Sequence, residues 1–269
     1  MPDIHKSVSF IGSGNVAYGL GMELKRHISI NKVWSRSIEN ASKLASKLDC
    51  STAHSLVELH SSDFVIVAVS DSAIAEVGKK WCETFTGEDH NTIIAHTSGN
   101  VSSELLNPSG ADIRFGVLYP LQSFTYGRRI SLKKVPFFIH GSSDEVIEDL
   151  CNLTGLVSKS VNVLGDQQRM KLHLPAVIVN NLVNHLVYLA EQVVVADDLK
   201  IDYFIPLMEE TIKKIKKIGP LKAQTGPARR NDVDVMCSHL NRLEDFPELK
   251  EVYNLLSNSI INLYHEDNR

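Results

Sequence analysis

The chain has 269 residues, 43% of them hydrophobic, and a formal charge of −4. That size supports one large domain or two moderate ones with a real core, and the charge gives no general attraction for nucleic acid. The four cysteines, Cys50, Cys82, Cys151 and Cys237, contain no CxxC pair, which argues against a disulfide framework, an iron–sulfur cluster or a thiolate zinc site and for reduced thiols. With no basic region and apolar signal segment ahead of the first strand, a cytoplasmic setting is expected.

Along the chain, β-rich runs occur at Ser7 to Ile11, Ile30 to Trp34, Asp63 to Val69, Thr92 to His96, Ile113 to Leu118, Val135 to His140 and Ser160 to Leu164. Helical patterns between them cover Val16 to His27, Ile38 to Leu48, Ser72 to Phe85 and Asp144 to Val157. Such alternation predicts βαβ units and a largely parallel sheet. From Asp166 onwards the pattern is helical only, with breaks near Asp197 to Asp202, at Gly219-Pro220 and around Asp245 to Pro247. The expected fold is therefore α/β, a Rossmann-type largely parallel sheet over residues 1–165, followed by a second, all-α domain over 166–269.

The first strand runs straight into "GSGNVA", residues 12 to 17, and then into a helix. This is the context that a dinucleotide-binding turn requires: Gly12 for the sharp turn, Gly14 for close approach of the backbone to a pyrophosphate, and Ala17 for tight helix packing. Ser13, Asn15 and Val16 share the cradle, where unpaired N–H groups at the helix start face the ligand. A plain βα turn would use glycine in the same place. After the second strand, Ser35 and Arg36 stand where NAD-specific sites carry an acid. A hydroxyl and a planar cation suit a 2′-phosphate, so NADP is favoured, unless Arg36 is simply solvated at a strand end.

The strings "FIGSGNVAYGL", "VWSRS", "VIVAVSDSAI", "HTSGNVSSEL", "LYPLQSF" and "QTGPARRND" resemble, in order and over nearly the whole chain, a bacterial family of NADP oxidoreductases. That family joins a Rossmann domain to a helical domain of unknown function and is distantly similar to pyrroline-5-carboxylate reductase and the β-hydroxyacid dehydrogenases. The resemblance implies NADP as cofactor. Two positions depart from it: Tyr119 stands where a histidine usually precedes Pro120, and Asn231 replaces a glycine before Asp232. The lysine and asparagine one turn apart that mark the β-hydroxyacid dehydrogenases are also missing, since Lys171 is followed by Pro175.

Hydride transfer needs a substrate carbon held over the nicotinamide and a donor or positive charge beside the atom that gains electron density. Candidates lie at strand carboxyl ends and on the first helix after the sheet. His96, Thr97 and Ser98 end one strand. His96 is either an acid or a hydrogen-bonded histidine of the sheet. Ser70, at the end of the preceding strand, is expected to cap a helix beside the cofactor. Gln122 and Ser123 sit in a loop that suits substrate binding or a simple turn. His173, Asn180 and Asn184 would share one helical face if the helix were continuous, but Pro175 predicts a break or new start near residues 172 to 175. His96 and His173 are the proposed catalytic pair.

The segment Ala176 to Ala196 is apolar nearly all round, yet three asparagines and a histidine within it argue against a membrane span. Burying it requires more than a small domain offers, which predicts a homodimer through the helical domain. Arg230, clustered with Arg229 and Asp232, is a candidate substrate or anion contact. Lys213, Lys214, Lys216 and Lys217 are read as dipole-complementing cations late in a helix. Together these features point to an NADP-dependent oxidoreductase acting on a small molecule without nucleic acid or membrane partners, the alternative being a non-catalytic NADP-binding sensor or interaction module.

Overall fold

The computed structural model describes residues 6–85, 91–196 and 198–265. Its contacts divide the chain into two compact units, Met1–Asn180 and Asn181–Arg269. The first contains β1 (Ser7–Ile11), α1 (Asn15–Leu24), β2 (Ser29–Trp34), α2 (Ile38–Leu48), β3 (Ser51–Thr52), β4 (Phe64–Val67) and α3 (Asp71–Thr84). It continues with β5 (Ile93–His96), β6 (Arg114–Pro120), β7 (Pro136–Gly141), α4 (Asp144–Gly155), β8 (Ser160–Val163) and α5 (Asp166–Ala176).

One eight-stranded sheet has the order β3-β2-β1-β4-β5-β6-β7-β8. Strands β1 to β6 run parallel, β7 turns antiparallel to β6, and β8 follows β7 in parallel. The central strands are mostly apolar because both faces are covered; β1 and β4 are buried at every position, the buried Ser7 and Ser9 of β1 being hydrogen-bonded to Asp63 and Ser62. Phe10, Leu20, Leu44 and Phe137 belong to one core cluster, while Ile11, Val67, Ile74 and Trp81 belong to another. Two-residue β3, which pairs Lys32 with Ser51 and Val33 with Thr52, is too short to leave a pattern in the sequence. From β1 the chain builds outwards to β2 and β3, then returns to β4 on the other side. That reversal opens a crevice at the carboxyl ends of β1 and β4.

The helix containing Pro175 is not broken at residues 172 to 175 as expected. Helix α5 continues through Pro175 to Ala176, and the adjustment comes just after it, as a π-helical stretch over Val177–Leu182. Proline withholds one N–H from the ladder, and a local change to wider i→i+5 turns accommodates that without ending the helix. The π stretch also shifts the angular register, so the sequence spacing of His173, Asn180 and Asn184 no longer guarantees a shared face. The span Asp166–Ala196 is long and apolar enough by composition to cross a membrane. Its first turn, however, is tied to the sheet unit through Asp166 and Arg169.

The second unit contains α6 (Val183–Ala196), α7 (Ile205–Ile218), α8 (Pro220–Ala223), α9 (Pro227–Arg230), α10 (Val233–Arg242) and α11 (Pro247–His265). Breaks fall at Gly219-Pro220 and before Pro247 as the sequence predicts; Asp197, in the first expected break, lies outside the described residues. Gly219, at φ 79°, ends α7 directly after the lysine-rich last turn. Asn231 adopts φ 55°, a left-handed conformation that asparagine tolerates, which explains how it replaces the family's glycine.

Candidate active site

The glycine turn divides its work between two residues. Gly12 adopts φ +105°, and a Cβ there would lie 2.2 Å from the Ala68 carbonyl oxygen; its N–H donates to the Trp34 carbonyl at 2.8 Å. Only glycine fits that crossing point of β1, β2 and β4. At Gly14, by contrast, a Cβ would meet nothing within 4 Å. Its surroundings are open, and no side chain caps the first turn of α1. Free N–H groups and the positive end of the helix therefore face a cleft of about 410 Å³, which suits an anionic ligand. Ala17 is fully buried where α1 packs on the sheet.

Ser13, Asn15 and Val16 line this cleft with the two glycines, and Ser35, Arg36 and Ser70 join them from the ends of β2 and β4. Ser13 Oγ donates to Ser35 Oγ at 3.2 Å, linking two of these walls. Ser70 occupies the N-cap position of α3, but its hydroxyl does not cap the helix; it pairs with the Ser72 hydroxyl at 3.3 Å instead. Lys80 and Glu76 of α3, which the sequence did not single out, also line the cleft. Asn15 does double duty: its Oδ1 accepts the Tyr126 N–H at 3.0 Å. In addition, Phe124 lies against Gly19, where a Cβ would be 2.2 Å from its ring. The loop carrying Gln122 and Ser123 is thereby fastened over α1. Gln122 Oε1 accepts the Ser123 N–H at 2.8 Å, and both residues are exposed.

Thr97 and Ser98 do not line the cleft. Thr97 is buried and gives its N–H to the Val67 carbonyl at 3.1 Å. Ser98 shapes the loop after β5: its N–H donates to His96 Nδ1 at 3.1 Å, and its hydroxyl accepts the Asn100 N–H at 3.0 Å. His96 has no exposed surface. Burial, reinforced by the positive charge of Arg169, depresses its pKa to about 4 against opposing effects of Asp166, the Ser102 backbone and Asp71. Because Nδ1 accepts, the neutral ring carries its proton on Nε2. Buried and neutral, His96 accepts the Ser98 N–H, which agrees with the second of the two readings that the sequence leaves open for it.

His173 is different. It is only partly buried, and its Nδ1 lies 3.4 Å from the Tyr119 hydroxyl. Both rings crowd against Gly99, where a Cβ would be 2.6 Å from Tyr119 Cζ and 2.7 Å from His173 Nδ1. Burial raises the Tyr119 pKa above its ordinary 10, while the positive charge of Arg169 opposes the rise. The sequence marked Tyr119 only as a departure from the family; in the fold it meets His173 at the carboxyl end of β6.

What aims α5 is a buried ion pair. Arg169 is 1% exposed. Its Nη1 donates to Asp166 Oδ1 at 2.5 Å, and its Nη2 donates to the Val101 carbonyl. Asp166 Oδ2 accepts from the Ser102 hydroxyl at 2.7 Å, the Ser103 N–H at 2.7 Å and the Ser103 hydroxyl at 3.0 Å. Burial alone would raise the Asp166 pKa, but these donors outweigh it and bring the carboxyl down to about 2. The pair joins α5 to the loop after β5. An Asp and an Arg three residues apart at a helix start look like an ordinary surface pair, so nothing in the spacing signals this burial.

Asn180 is exposed at the end of the first unit. Arg230 belongs to the second unit, where it is exposed and faces Asp232 Oδ2 at 3.8 Å. Arg229 stacks on the Tyr264 ring at 3.9 Å, and Asp232 caps α10 through the Val235 N–H. His239 Nδ1 meets the Tyr253 hydroxyl at 2.8 Å.

Residues 7–97 match the family described as NADP oxidoreductase, coenzyme F420-dependent, and residues 135–260 match a domain of unknown function, DUF2520. A search of curated proteins found no match. Among solved structures, protein BF3122 from Bacteroides fragilis, provisionally named an NADP oxidoreductase, is 35% identical, with a TM-score of 0.88 over 96% of this chain and 98% of its own. Protein TM1727 from Thermotoga maritima is 23% identical, with a TM-score of 0.72 over 95% and 99%. A reductive aminase from Aspergillus terreus, in complex with NADPH and ethyl-5-oxohexanoate, is 15% identical, with a TM-score of 0.70 over 97% and 94%. At those identities the last two share the fold alone.

Proposed function

Since the chain belongs to the NADP oxidoreductase family, we propose that it catalyses hydride transfer between the nicotinamide and a small carbonyl, imine or hydroxy-acid substrate. One observation carries this reading: within a single compact unit, the glycine turn with its open Gly14 follows the carboxyl end of β1, and Tyr119, with His173 of α5 against it, stands at the carboxyl end of β6 in the same parallel part of the sheet. Ser13 to Val16 would hold the pyrophosphate through backbone N–H groups, with Gly12 making the turn that presents them, and Ser35 with Arg36 would hold the 2′-phosphate. When bound, NADPH supplies the hydride. In reduction His173 delivers the proton to the substrate oxygen or nitrogen; in the reverse direction, with NADP+ accepting the hydride, it takes that proton up, and Tyr119 orients its ring. Gln122, Ser123 and Asn180 are the candidates for substrate contact in the first unit, Arg230 is a separate candidate in the second, Thr97 and Ser98 shape the loop after β5, and His96 positions that loop.

We further infer a cytoplasmic homodimer built through the helical unit. The supporting observation is the number of large apolar side chains exposed there, among them Tyr203, Leu207, Ile212 and Leu255, each at least 65% exposed.

The test is NADPH oxidation with a panel of small ketones and keto acids, each with and without a primary amine. Substrate-dependent oxidation is expected, and His173→Ala should slow it by about 10²- to 10⁴-fold at unchanged NADPH affinity. Tight NADPH binding without turnover across the panel would count against an enzyme. A His173→Ala variant at the parental rate would remove the proton-transfer role.

A further inference from the structure

The cleft contains a group of charges that a phosphate cradle alone does not require. Arg36 follows β2 on one wall, and Lys80 and Glu76 stand on α3 on another; all three line the cleft with Ser35. Lys80 Nζ donates to Glu76 Oε1 at 2.7 Å across one helical turn. We propose that Lys80 is a second cation for the 2′-phosphate, and that Glu76 is a resident competitor for it, setting how strongly the site prefers NADPH over NADH. This rests on the NADP reading of the cleft and adds the residues that set the degree of discrimination.

The charges decide the direction of each effect. Arg36 and Lys80 contribute two positive charges and Glu76 one negative charge. A dianionic phosphate attracts both cations, but it must draw Lys80 away from Glu76 and tolerate the carboxylate nearby. The Glu76 carboxyl is held below its ordinary pKa by the Lys80 hydrogen bond and charge, with a smaller contribution from Arg36, which agrees with all three charges facing one another. Glu76 is therefore ionised when the cofactor arrives. NADH, with a neutral 2′-hydroxyl, draws little on either cation. The pair is solvent-exposed, with Lys80 at 51% and Glu76 at 59%, so the Glu76 side chain has room to turn into solvent when phosphate takes its place.

An i,i+4 pair whose only role is to support its helix makes a different prediction: losing either partner lowers stability slightly and leaves cofactor affinity alone. The proposal instead requires opposite signs at the two positions. Titration calorimetry with NADPH, NADH, 2′,5′-ADP and 5′-AMP should show Lys80→Met weakening NADPH and 2′,5′-ADP by about 10-fold, equivalent to one lost charge-assisted contact. NADH and 5′-AMP should stay within about 2-fold of the parent, since neither offers the 2′-phosphate. Glu76→Gln should tighten NADPH and 2′,5′-ADP several-fold, again without a matching gain for NADH. Thermal melts check that both variants fold. Equal losses for both cofactors in Lys80→Met, or unchanged or weakened NADPH binding in Glu76→Gln, would overturn the proposal while leaving the cofactor reading in place. A parent protein that binds neither NADPH nor NADH would overturn both.

Discussion

Gly12 and Gly14 are two residues apart and fail in different ways when substituted. Gly12→Ala places a methyl group against the Ala68 carbonyl in a left-handed backbone conformation. The expected result is a loss of roughly 2–4 kcal/mol of stability, measured by urea denaturation. At Gly14 an added Cβ meets no atom within 4 Å, so in Gly14→Val the fold should survive with a nearly unchanged urea midpoint while NADPH binding disappears from a calorimetric titration, because the side chain fills the pyrophosphate's space. Retained affinity in that variant would show that the turn is not a phosphate cradle. Arg36→Glu should narrow or reverse the preference for NADPH over NADH, replacing an attraction with a repulsion; equal affinities in the parent would remove Arg36 from that role.

Helix α5 owes its position to charge and hydrogen bonding more than to apolar packing, since Arg169 is its one buried residue. That makes its attachment sensitive to acid. Asp166 has a folded pKa of about 2 against an ordinary 3.8; a depressed carboxylate contributes stability above the ordinary value and loses it as pH falls through the folded one. His96, at about 4 against an ordinary 6.5, stays neutral in the fold while the unfolded chain protonates. Its contribution is therefore complete above pH 6.5 and lost as pH falls towards about 4. Urea midpoints followed from pH 7 downwards should decline in both windows. His96→Asn, whose Oδ1 still accepts the Ser98 N–H, should flatten the upper window alone, and Asp166→Asn the lower one. A decline identical to the parent's in His96→Asn would show that His96 is not what makes the upper window pH-dependent.

The second unit exposes apolar surface that a stable solitary domain of its size would cover. One groove in it, about 550 Å³, is lined almost wholly by apolar side chains, including Val183, Leu186, Phe204 and Leu207. If a second copy covers this face, sedimentation should show two chains per particle and a melting temperature that rises with protein concentration. Leu207→Glu should yield single chains, with NADPH affinity unchanged because the cradle lies entirely in the first unit. A parent that sediments as a single chain would rule out the dimer.

Strand runs such as "SVSFI" and the glycine turn after it were legible because they depend on neighbours within a few positions: the apolar content of a strand covered on both faces, and a backbone conformation open only to glycine. Chain order also sufficed to put the crevice at the strand ends. Proximity of distant residues was another matter. Asp166 meets Ser102 from 64 positions away and Arg169 reaches Val101 from 68, and no local period encodes whether a charged pair ends in solvent or under a helix. The same holds for His96, whose place in a four-residue strand was legible while its complete burial depended on what packed around it, and for Tyr119, which became part of the candidate site only when β6 and α5 brought it to His173. Short-range sterics and periodicity are written in neighbouring residues; burial, and with it protonation and hydrogen-bond partners, exists only once the layers have closed.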